Sequence, residues 1–265
     1  MVRCTVLVEN HPLTSTFEAE HGLSLLLETG RERWLFDLGQ SDLFLKNAKV
    51  LQTSLQPLQG VVISHGHYDH GGGLETFLQH DVVTPIYLHP SAFDDYYNGR
   101  EKYIGLKPHL ATHPQLKFLS ETTSLSPEAT LVCLPLNADV EPRNAYGLMR
   151  CDKGSFEPDD FRHEVALLLT VEGRKICISG CAHCGVLNWL AAVKPDVFIG
   201  GFHLAKLNPE VLDDRERLVF LATTLATTPT VYYTGHCTGD EPYAFLKARL
   251  GNRLQALASG AIFEI

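Results

Sequence analysis

A short apolar run, typical of a buried strand, leads into the stretch Ser64-His65-Gly66-His67-Tyr68-Asp69-His70-Gly71-Gly72-Gly73. Imidazole binds Zn, Fe, Ni and Cu, and a carboxylate adds a hard oxygen ligand. In an irregular loop, His65 and His67 can face one ion while Asp69 and His70 turn toward a second. Because these side chains would be costly to leave unpaired beside a core strand, the pattern indicates a metal site rather than a solvated turn.

A second pattern occurs three times in the chain. In each case an apolar strand is followed by small residues and then by histidine or cysteine. It is found at residues 178–183, 199–203 and 233–236. Function gathers where the strands of an α/β sheet end, so we expect His183 and His236 to join the first loop at a shared edge. His203 is either a further residue of that edge or a hydrogen-bonded turn histidine.

Cys181 and Cys184 form a C-x-x-C pair around His183. A redox dithiol is typically found within a thioredoxin-like unit, and a zinc ribbon requires a second such pair of cysteines. The sequence shows neither of these, so we interpret Cys181 as a metal ligand or a close neighbour of one.

Three further residues could support the site. Asp37 lies at a predicted strand end, where it could orient a metal-bound histidine or cap its own turn. Glu164 comes just ahead of a predicted hairpin and could bind a metal or orient a ligand. His21 lies at a predicted strand start, where it could reach the same edge or close a turn.

Strand-like and helical stretches alternate along all 265 residues, with no linker between them. This order predicts one domain, a layered α/β sandwich, with an irregular insertion or lid over residues 90–128. The predicted helices are Leu43–Leu51, Gly73–Gln79, Leu187–Val193, Asp214–Ala226 and Tyr243–Leu250. The predicted strands are Val2–Val8, Leu23–Glu28, Trp34–Asp37, Val61–Ser64, Pro85–Leu88, Leu131–Leu134, Val197–Gly200, Val231–Thr234 and Ala261–Ile265, with a hairpin over Glu164–Val171 and Lys175–Ser179.

The chain is acidic, with 22 lysines and arginines against 31 aspartates and glutamates and a net charge of −9. Such a chain, without a basic run, is a poor candidate for binding nucleic acid or an anionic membrane, so we expect a small-molecule substrate. Arg100, Lys102 and Lys107 could meet an anionic group of that substrate or simply lie in solvent. The sequence suggests no leader and no membrane span, and its seven scattered cysteines fit a reducing cytoplasm. The residues carry no signal for an oligomeric state.

The order His65-x-His67-x-Asp69-His70 after a buried strand, with Asp37 upstream and His236 late in the chain, resembles the metallo-β-lactamase superfamily. The resemblance covers nearly the whole chain. One branch is more similar still; it is named after a dihydropterin-ribofuranosyl-aminobenzene-phosphate synthase and contains many metal-dependent hydrolases. That closer similarity lies in Leu7–Asn10, Ala19–Ser24, Leu35–Asp42 and Ser179–Gly185.

The resemblance implies a four-layer αββα sandwich, the metallo-β-lactamase fold, with the metal site along one edge of the two sheets. His65 and His67 would bind a first ion, and Asp69 and His70 a second. His236 matches the last histidine of the family pattern and would complete the second site.

Two positions depart from that family pattern. Glu164 stands near the place of the usual third histidine, and Cys181 replaces the usual bridging aspartate. We therefore expect His183 to supply the missing imidazole. Such a site could hold one ion tightly and the second weakly.

The resulting hypothesis is a hydrolase with two divalent ions, with Zn favoured and Mn or Fe as alternatives. A metal-bound water near pH 7 would attack a small, phosphorylated or unphosphorylated substrate. Asp69 would hold metal and nucleophile, while His203 or His21 would bind substrate or protonate the leaving group. The alternatives are a metal-assisted condensation of a pterin diphosphate with an aminobenzene ribotide, a diiron redox protein, and a non-catalytic metal sensor.

Overall fold

The computed structural model describes residues 1–136, 140–143 and 145–265. The described chain forms two seven-stranded sheets and one four-stranded sheet. The two large sheets face each other across a common apolar core, to which strands from both contribute.

The first large sheet is antiparallel in one half and parallel in the other. Its spatial order is β18 (Ile262–Glu264), β1 (Arg3–Val8), β2 (Ser24–Glu28), β3 (Arg33–Phe36), β4 (Gly60–Val62), β5 (Ile86–Leu88) and β8 (Leu116–Phe118). Strands β18 to β3 pair antiparallel, whereas β3, β4, β5 and β8 run parallel.

The second large sheet has the same division. Its spatial order is β17 (Leu254–Ala256), β16 (Val231–Thr234), β15 (Val197–Ile199), β14 (Arg174–Ser179), β13 (Val165–Val171), β10 (Ala129–Cys133) and β9 (Thr123–Ser124). Strands β14 to β17 run parallel, and the predicted hairpin appears as the antiparallel pair β13 and β14.

Both faces of the central strands of each large sheet are buried, which explains why β4, β13 and β15 are apolar at nearly every position. In β2, Leu25 and Leu27 lie in the core between the sheets, whereas Leu26 lies in the outer cluster. In β14, Ile176 lies between the sheets and Cys177 faces outward. Successive side chains of a strand point to opposite faces, so alternate residues of each strand lie in the core between the sheets and in the layer under the helices.

Helices cover the outer faces of both large sheets. The first sheet is covered by α1 (Leu43–Val50) and by α3 (Leu74–His80), which follows the single helical turn α2 (Tyr68–Gly71). The second is covered by α4 (Val186–Val193), α5 (Leu212–Thr227) and α6 (Asp240–Leu250). The predicted helices are all present, with small shifts at their ends, and the four-layer αββα sandwich is confirmed. Within the described chain, none of the helices has the length and apolar character needed to span a bilayer.

Residues 90–128, where we predicted an irregular insertion or lid, contain several short strands. Strands β8 and β9 extend the edges of the two large sheets. The third sheet has the order β12 (Ser155–Pro158), β11 (Leu148–Asp152), β6 (Asp95–Asn98) and β7 (Lys102–Tyr103). Its central strands β6 and β11 lie some 50 residues apart in sequence, so no local period could reveal their pairing.

Gly66 separates two candidate ligands and has no room for a side chain. A Cβ on Gly66 would lie 2.2 Å from the backbone oxygen of Ala92. We expect Gly66→Ala to lower the free energy of unfolding by about 1–3 kcal/mol, because the loop or its neighbour must move. Urea denaturation measures this loss. Gly30→Ala is the matched control, since nothing lies within 4 Å of its Cβ, and equal stability of the two variants would contradict the close packing.

Candidate metal centre

The metal-capable side chains follow parallel strands of both large sheets. Asp37 comes after β3 and His65 after β4 in the first sheet. Cys181, His203 and His236 come after β14, β15 and β16 in the second. The carboxyl ends of these strands meet at one edge of the sandwich, as the repeated order of strand, glycine and histidine predicts.

Sharp turns let these side chains leave their strands into a common space. Asp37, Ala182, His203 and His236 have φ values of 56°, 48°, 51° and 49°. Residues with a Cβ rarely adopt this left-handed conformation, and in proteins it gathers at functional sites.

Three buried imidazoles, those of His65, His67 and His183, form the first group of possible ligands. One nitrogen of each lies within 4.8 Å of the other two. The Nε2 atoms of His65 and His183 are 3.2 Å apart. The Nε2 atom of His67 and the Nδ1 atom of His183 have no hydrogen-bond partner.

Asp69, His70 and His236 form a second group beside the first. The Oδ2 atom of Asp69 lies 3.2 Å from Nε2 of His236 and 3.8 Å from Nε2 of His70. The two histidine Nε2 atoms are themselves 3.1 Å apart. The Nδ1 atom of His236 lies 2.9 Å from the side-chain oxygen of Asn10, so in the neutral ring Nδ1 donates and Nε2 faces the group.

The buried carboxylate of Asp37 orients one histidine in each group. Its Oδ2 lies 2.6 Å from Nδ1 of His70 and accepts the hydroxyl proton of Ser64 at 2.7 Å. Because that hydroxyl proton is already used, Nδ1 of His65, 2.8 Å away, must donate to the Ser64 oxygen. In neutral His65 and His70 the lone pair therefore lies on Nε2, which faces the site.

Cys181 lies between the two groups. Its Sγ is 3.1 Å from Nε2 of His70, and it forms one possible ligand set with His65 and His70 and another with His236 and Cys237. Thiolate sulfur binds Zn and Fe well. Cys181 could therefore contribute a thiolate ligand to either group.

Glu164 supports the His183 turn rather than facing the two groups. Its carboxylate oxygens accept the backbone N–H groups of His183 and Cys184, each at 2.8 Å. Of the two roles the sequence left open for Glu164, this contact supports the orienting one. The same buried carboxylate also accepts from the indole of Trp189 at 3.3 Å.

His21 and His203 lie on opposite sides of the centre. His21 is half exposed, and its Nε2 is 3.2 Å from Oδ2 of Asp69. The ring of His203 is centred 4.1 Å from that of His183, and its buried Nε2 has no hydrogen-bond partner. Both histidines line the same cavity, so each can contact a substrate there.

A cavity of about 490 Å³ opens over both groups of ligands. Lys102 and Lys206 stand in its wall, and β7 of the third sheet supplies the first of these. Lys107 instead pairs with Glu75, so it does not serve the cavity. The guanidinium of Arg100 lies 5.8 Å from the ring of Phe156 and also lines no part of it.

The sequence gives no signal for Asp159, and it offers His163, just ahead of the predicted hairpin, only as a plausible residue of the shared edge. Both side chains are fully buried, and with His67 they form a further set of possible ligand atoms. No metal-binding motif surrounds Asp159 in the sequence. It comes close to the loop that contains His65, His67 and His70 only through the fold. Lys206 was missed for the same reason.

Burial sets the protonation state of the first group. It lowers the pKa of His65 and of His183 well below the ordinary value, and it lowers the pKa of His67 as well. All three imidazoles are therefore neutral near pH 7, which is the form that binds metal ions.

Charges outweigh burial in the second group. Burial alone would lower the pKa of His70, but the carboxylates of Asp37 and Asp69 raise it to about 9. Burial alone would raise the pKa of Asp69, but His70 and hydrogen bonds from His21 and His236 hold it well below its usual range. Without a metal, His70 is thus an imidazolium beside two carboxylates.

This donor set fits divalent cations. Imidazole Nε2 atoms face one another 3.1–3.2 Å apart in both groups, while the Nδ1 atoms of His65, His70 and His236 are held by protein acceptors. Lone pairs facing each other at that distance repel unless a cation or a proton lies between them. Outer contacts that direct ligand nitrogens inward in this way are typical of metal centres.

Comparison with known proteins agrees with this fold and donor set. The model of the metallo-beta-lactamase superfamily matches residues 18–223, and the chain belongs to that superfamily. Its members are generally metal-dependent hydrolases, and the fold implies binding of divalent metal.

Three similar proteins cover most of the chain. An uncharacterized protein of Methanocaldococcus jannaschii is 29% identical, over 78% of this chain and 82% of its own. The 7,8-dihydropterin-6-methyl-4-(beta-D-ribofuranosyl)-aminobenzene-5'-phosphate synthase of the same organism is 25% identical, over 94% and 92%. The crystal structure of a metal-dependent hydrolase of the beta-lactamase superfamily aligns with a TM-score of 0.82 at 29% identity, over 100% of this chain and 99% of that one.

The two groups of ligands should differ in the protons they release when they bind Zn²⁺. At pH 7 the first group should release almost none, because its imidazoles are already neutral. The second should release about one proton from His70, and about one more if Cys181 binds as a thiolate. Titration calorimetry in buffers of different ionisation enthalpy measures these numbers.

Cys181→Ser is the control for the thiolate, and it should remove about one proton from the total. Binding of two ions without any proton release would contradict the raised pKa of His70.

Proposed function

We propose that the protein is a hydrolase with two divalent metal ions, of which Zn²⁺ is favoured, acting on a small phosphorylated molecule. The observation that carries the proposal is the convergence of imidazole nitrogens, a carboxylate and a thiol on two adjacent points below one cavity. A sensor or storage protein would not need a cavity over both ligand groups.

Ions bound by the two groups would act as Lewis acids and bring the pKa of a coordinated water toward 7. Side chains of the protein would orient the nucleophile and serve the leaving group. The Oδ2 atom of Asp69 lies 3.2 Å from Nε2 of His21 and 3.2 Å from Nε2 of His236. From that position it would hold a metal ion and orient the attacking nucleophile.

His203 is the residue best placed to serve the leaving group. Its Nε2 is buried without a partner at the wall of the cavity, so it is available to donate a hydrogen bond or a proton to a bound substrate. His21 stands on the other side of the centre and is half exposed, which suits contact with a part of the substrate that remains near solvent.

The preference for a phosphorylated substrate comes from Lys102 and Lys206. In an acidic chain, two ammonium groups in the wall of one cavity favour an anionic substrate. The Lys102 ammonium lies 5.4 Å from the Tyr68 ring centre, and Lys206 donates to the backbone oxygen of Tyr146. Both contacts keep the ammonium groups beside the cavity.

A condensation is the second candidate, because the synthase of M. jannaschii aligns over 94% of this chain. In that reaction the same centre would hold the diphosphate leaving group of a pterin substrate. Release of diphosphate from a pterin diphosphate only when an aminobenzene ribotide is added would favour condensation. Release of orthophosphate or alcohol from simple phosphoesters would favour hydrolysis.

Total metal per chain tests the centre on which both candidates depend. Protein purified without a metal-affinity tag should contain about two Zn or Mn per chain by plasma mass spectrometry, given the two groups of ligands. His67→Ala should lose one ion and the activity while keeping its circular dichroism spectrum. Two Fe per chain would favour redox chemistry, and protein that takes up no metal on addition would contradict the enzyme proposal.

The two lysines should affect substrate binding more than chemistry. Loss of one charged hydrogen bond to a phosphate should raise KM about tenfold for Lys102→Ala and for Lys206→Ala, with kcat little changed. Steady-state kinetics on a phosphoester measures this effect. Lys107→Ala is the matched control because Lys107 pairs with Glu75, and an equal rise in that variant would argue against a specific phosphate contact.

A further inference from the structure

Asp159 and His163 lie behind the metal loop and away from the substrate cavity. Both side chains are completely buried. The Nε2 atom of His163 is 3.1 Å from Oδ2 of Asp159, and the Nδ1 atom of His163 accepts the backbone N–H of Gly66 at 2.8 Å. Gly66 lies between His65 and His67, so this contact ties the network to the loop that carries the ligands.

The hydrogen bonds determine the tautomer of His163. A backbone N–H can only donate, so Nδ1 of His163 must be the acceptor and Nε2 must carry the proton given to Asp159. Both ring nitrogens are then in use, and His163 has no lone pair left for a metal. The ring of Tyr96 stacks on that of His163 with the centroids 4.0 Å apart, which holds its plane.

The carboxylate of Asp159 can accept a further hydrogen bond. Its Oδ1 accepts the backbone N–H of Phe161 at 2.8 Å, and its Oδ2 receives the proton of His163. The same Oδ2 lies 3.8 Å from Nε2 of His67, the buried nitrogen that has no hydrogen-bond partner. A carboxylate oxygen can accept two hydrogen bonds, so a short movement of the His67 ring completes the pair.

We propose that Asp159, held in place by His163, is a positioning residue that keeps the proton of His67 on Nε2 and so presents Nδ1 to the first metal ion. The chain would then orient its ligands through two buried carboxylates. Asp37 directs Nε2 of His65 through the Ser64 hydroxyl, and Asp159 directs Nδ1 of His67. The inference rests on the proposed metal centre.

Zn²⁺ affinity tests this role without any need for the substrate. Carboxylates that orient metal-bound histidines contribute about 10–100-fold to metal affinity, so Asp159→Asn should weaken binding of one of the two ions by that factor. Competition with a chromophoric chelator measures both affinities. Asp160→Asn is the matched control, because the neighbouring Asp160 pairs with Arg162 near the surface and should bind Zn²⁺ as the unchanged protein does.

The tautomer of His67 is a second and independent measurement. Long-range proton–nitrogen NMR of the Zn²⁺-loaded, unsubstituted protein should show His67 protonated at Nε2 and metal-bound at Nδ1. The opposite assignment would overturn the proposal. This measurement applies even where Asp159→Asn does not fold.

The outcomes distinguish the metal centre from the role of Asp159. Unsubstituted protein that binds no Zn²⁺ would overturn both the metal centre and the role of Asp159. Unsubstituted protein that binds two ions, together with Asp159→Asn that binds them equally well, would leave the centre standing and overturn only the role of Asp159.

Discussion

The buried carboxylate of Asp37 is the contact on which the rest of the centre depends. It accepts from the backbone N–H and the hydroxyl of Ser64 and lies 2.6 Å from Nδ1 of His70. Through these bonds the end of β3 determines where the loop after β4 begins and which nitrogens of His65 and His70 face the cavity. A neutral side chain with a single acceptor oxygen could not make all three of these contacts. It would also lack the negative charge that attracts a metal cation.

The fold brings a second set of ligands to face the first. His183 and Cys181 follow β14, His236 follows β16, and all three meet the loop of the first sheet across the edge of the sandwich. Their turns adopt left-handed backbone conformations that cost free energy, and the chain keeps them because the surrounding layers are packed on both faces. The αββα core thus serves as the rigid support for a strained edge.

Prediction from the sequence succeeded where the signal was local. The apolar strands, the five helices and the His-x-His-x-Asp-His loop are periodic or contiguous, so residue spacing was enough to find them. The third sheet was not predicted, because β6 pairs with β11 across a long stretch of chain and neither strand is strongly apolar. Asp159 and Lys206 were missed because an isolated charged residue has no pattern that separates it from a solvated one.

The amino-acid sequence by itself determined the class of chemistry, since three histidines and an aspartate within six residues after a buried strand are a dense set of metal ligands. It also determined a layered α/β sandwich, through the alternation of strands and helices along the chain, and the resemblance to a known family added the four-layer order. Only the tertiary structure decided which metal-capable side chains lie together, that Glu164 holds a turn, and that Asp159 stands behind His67. Those assignments depend on distances between atoms that are far apart along the chain, and only the packing of the two sheets sets such distances.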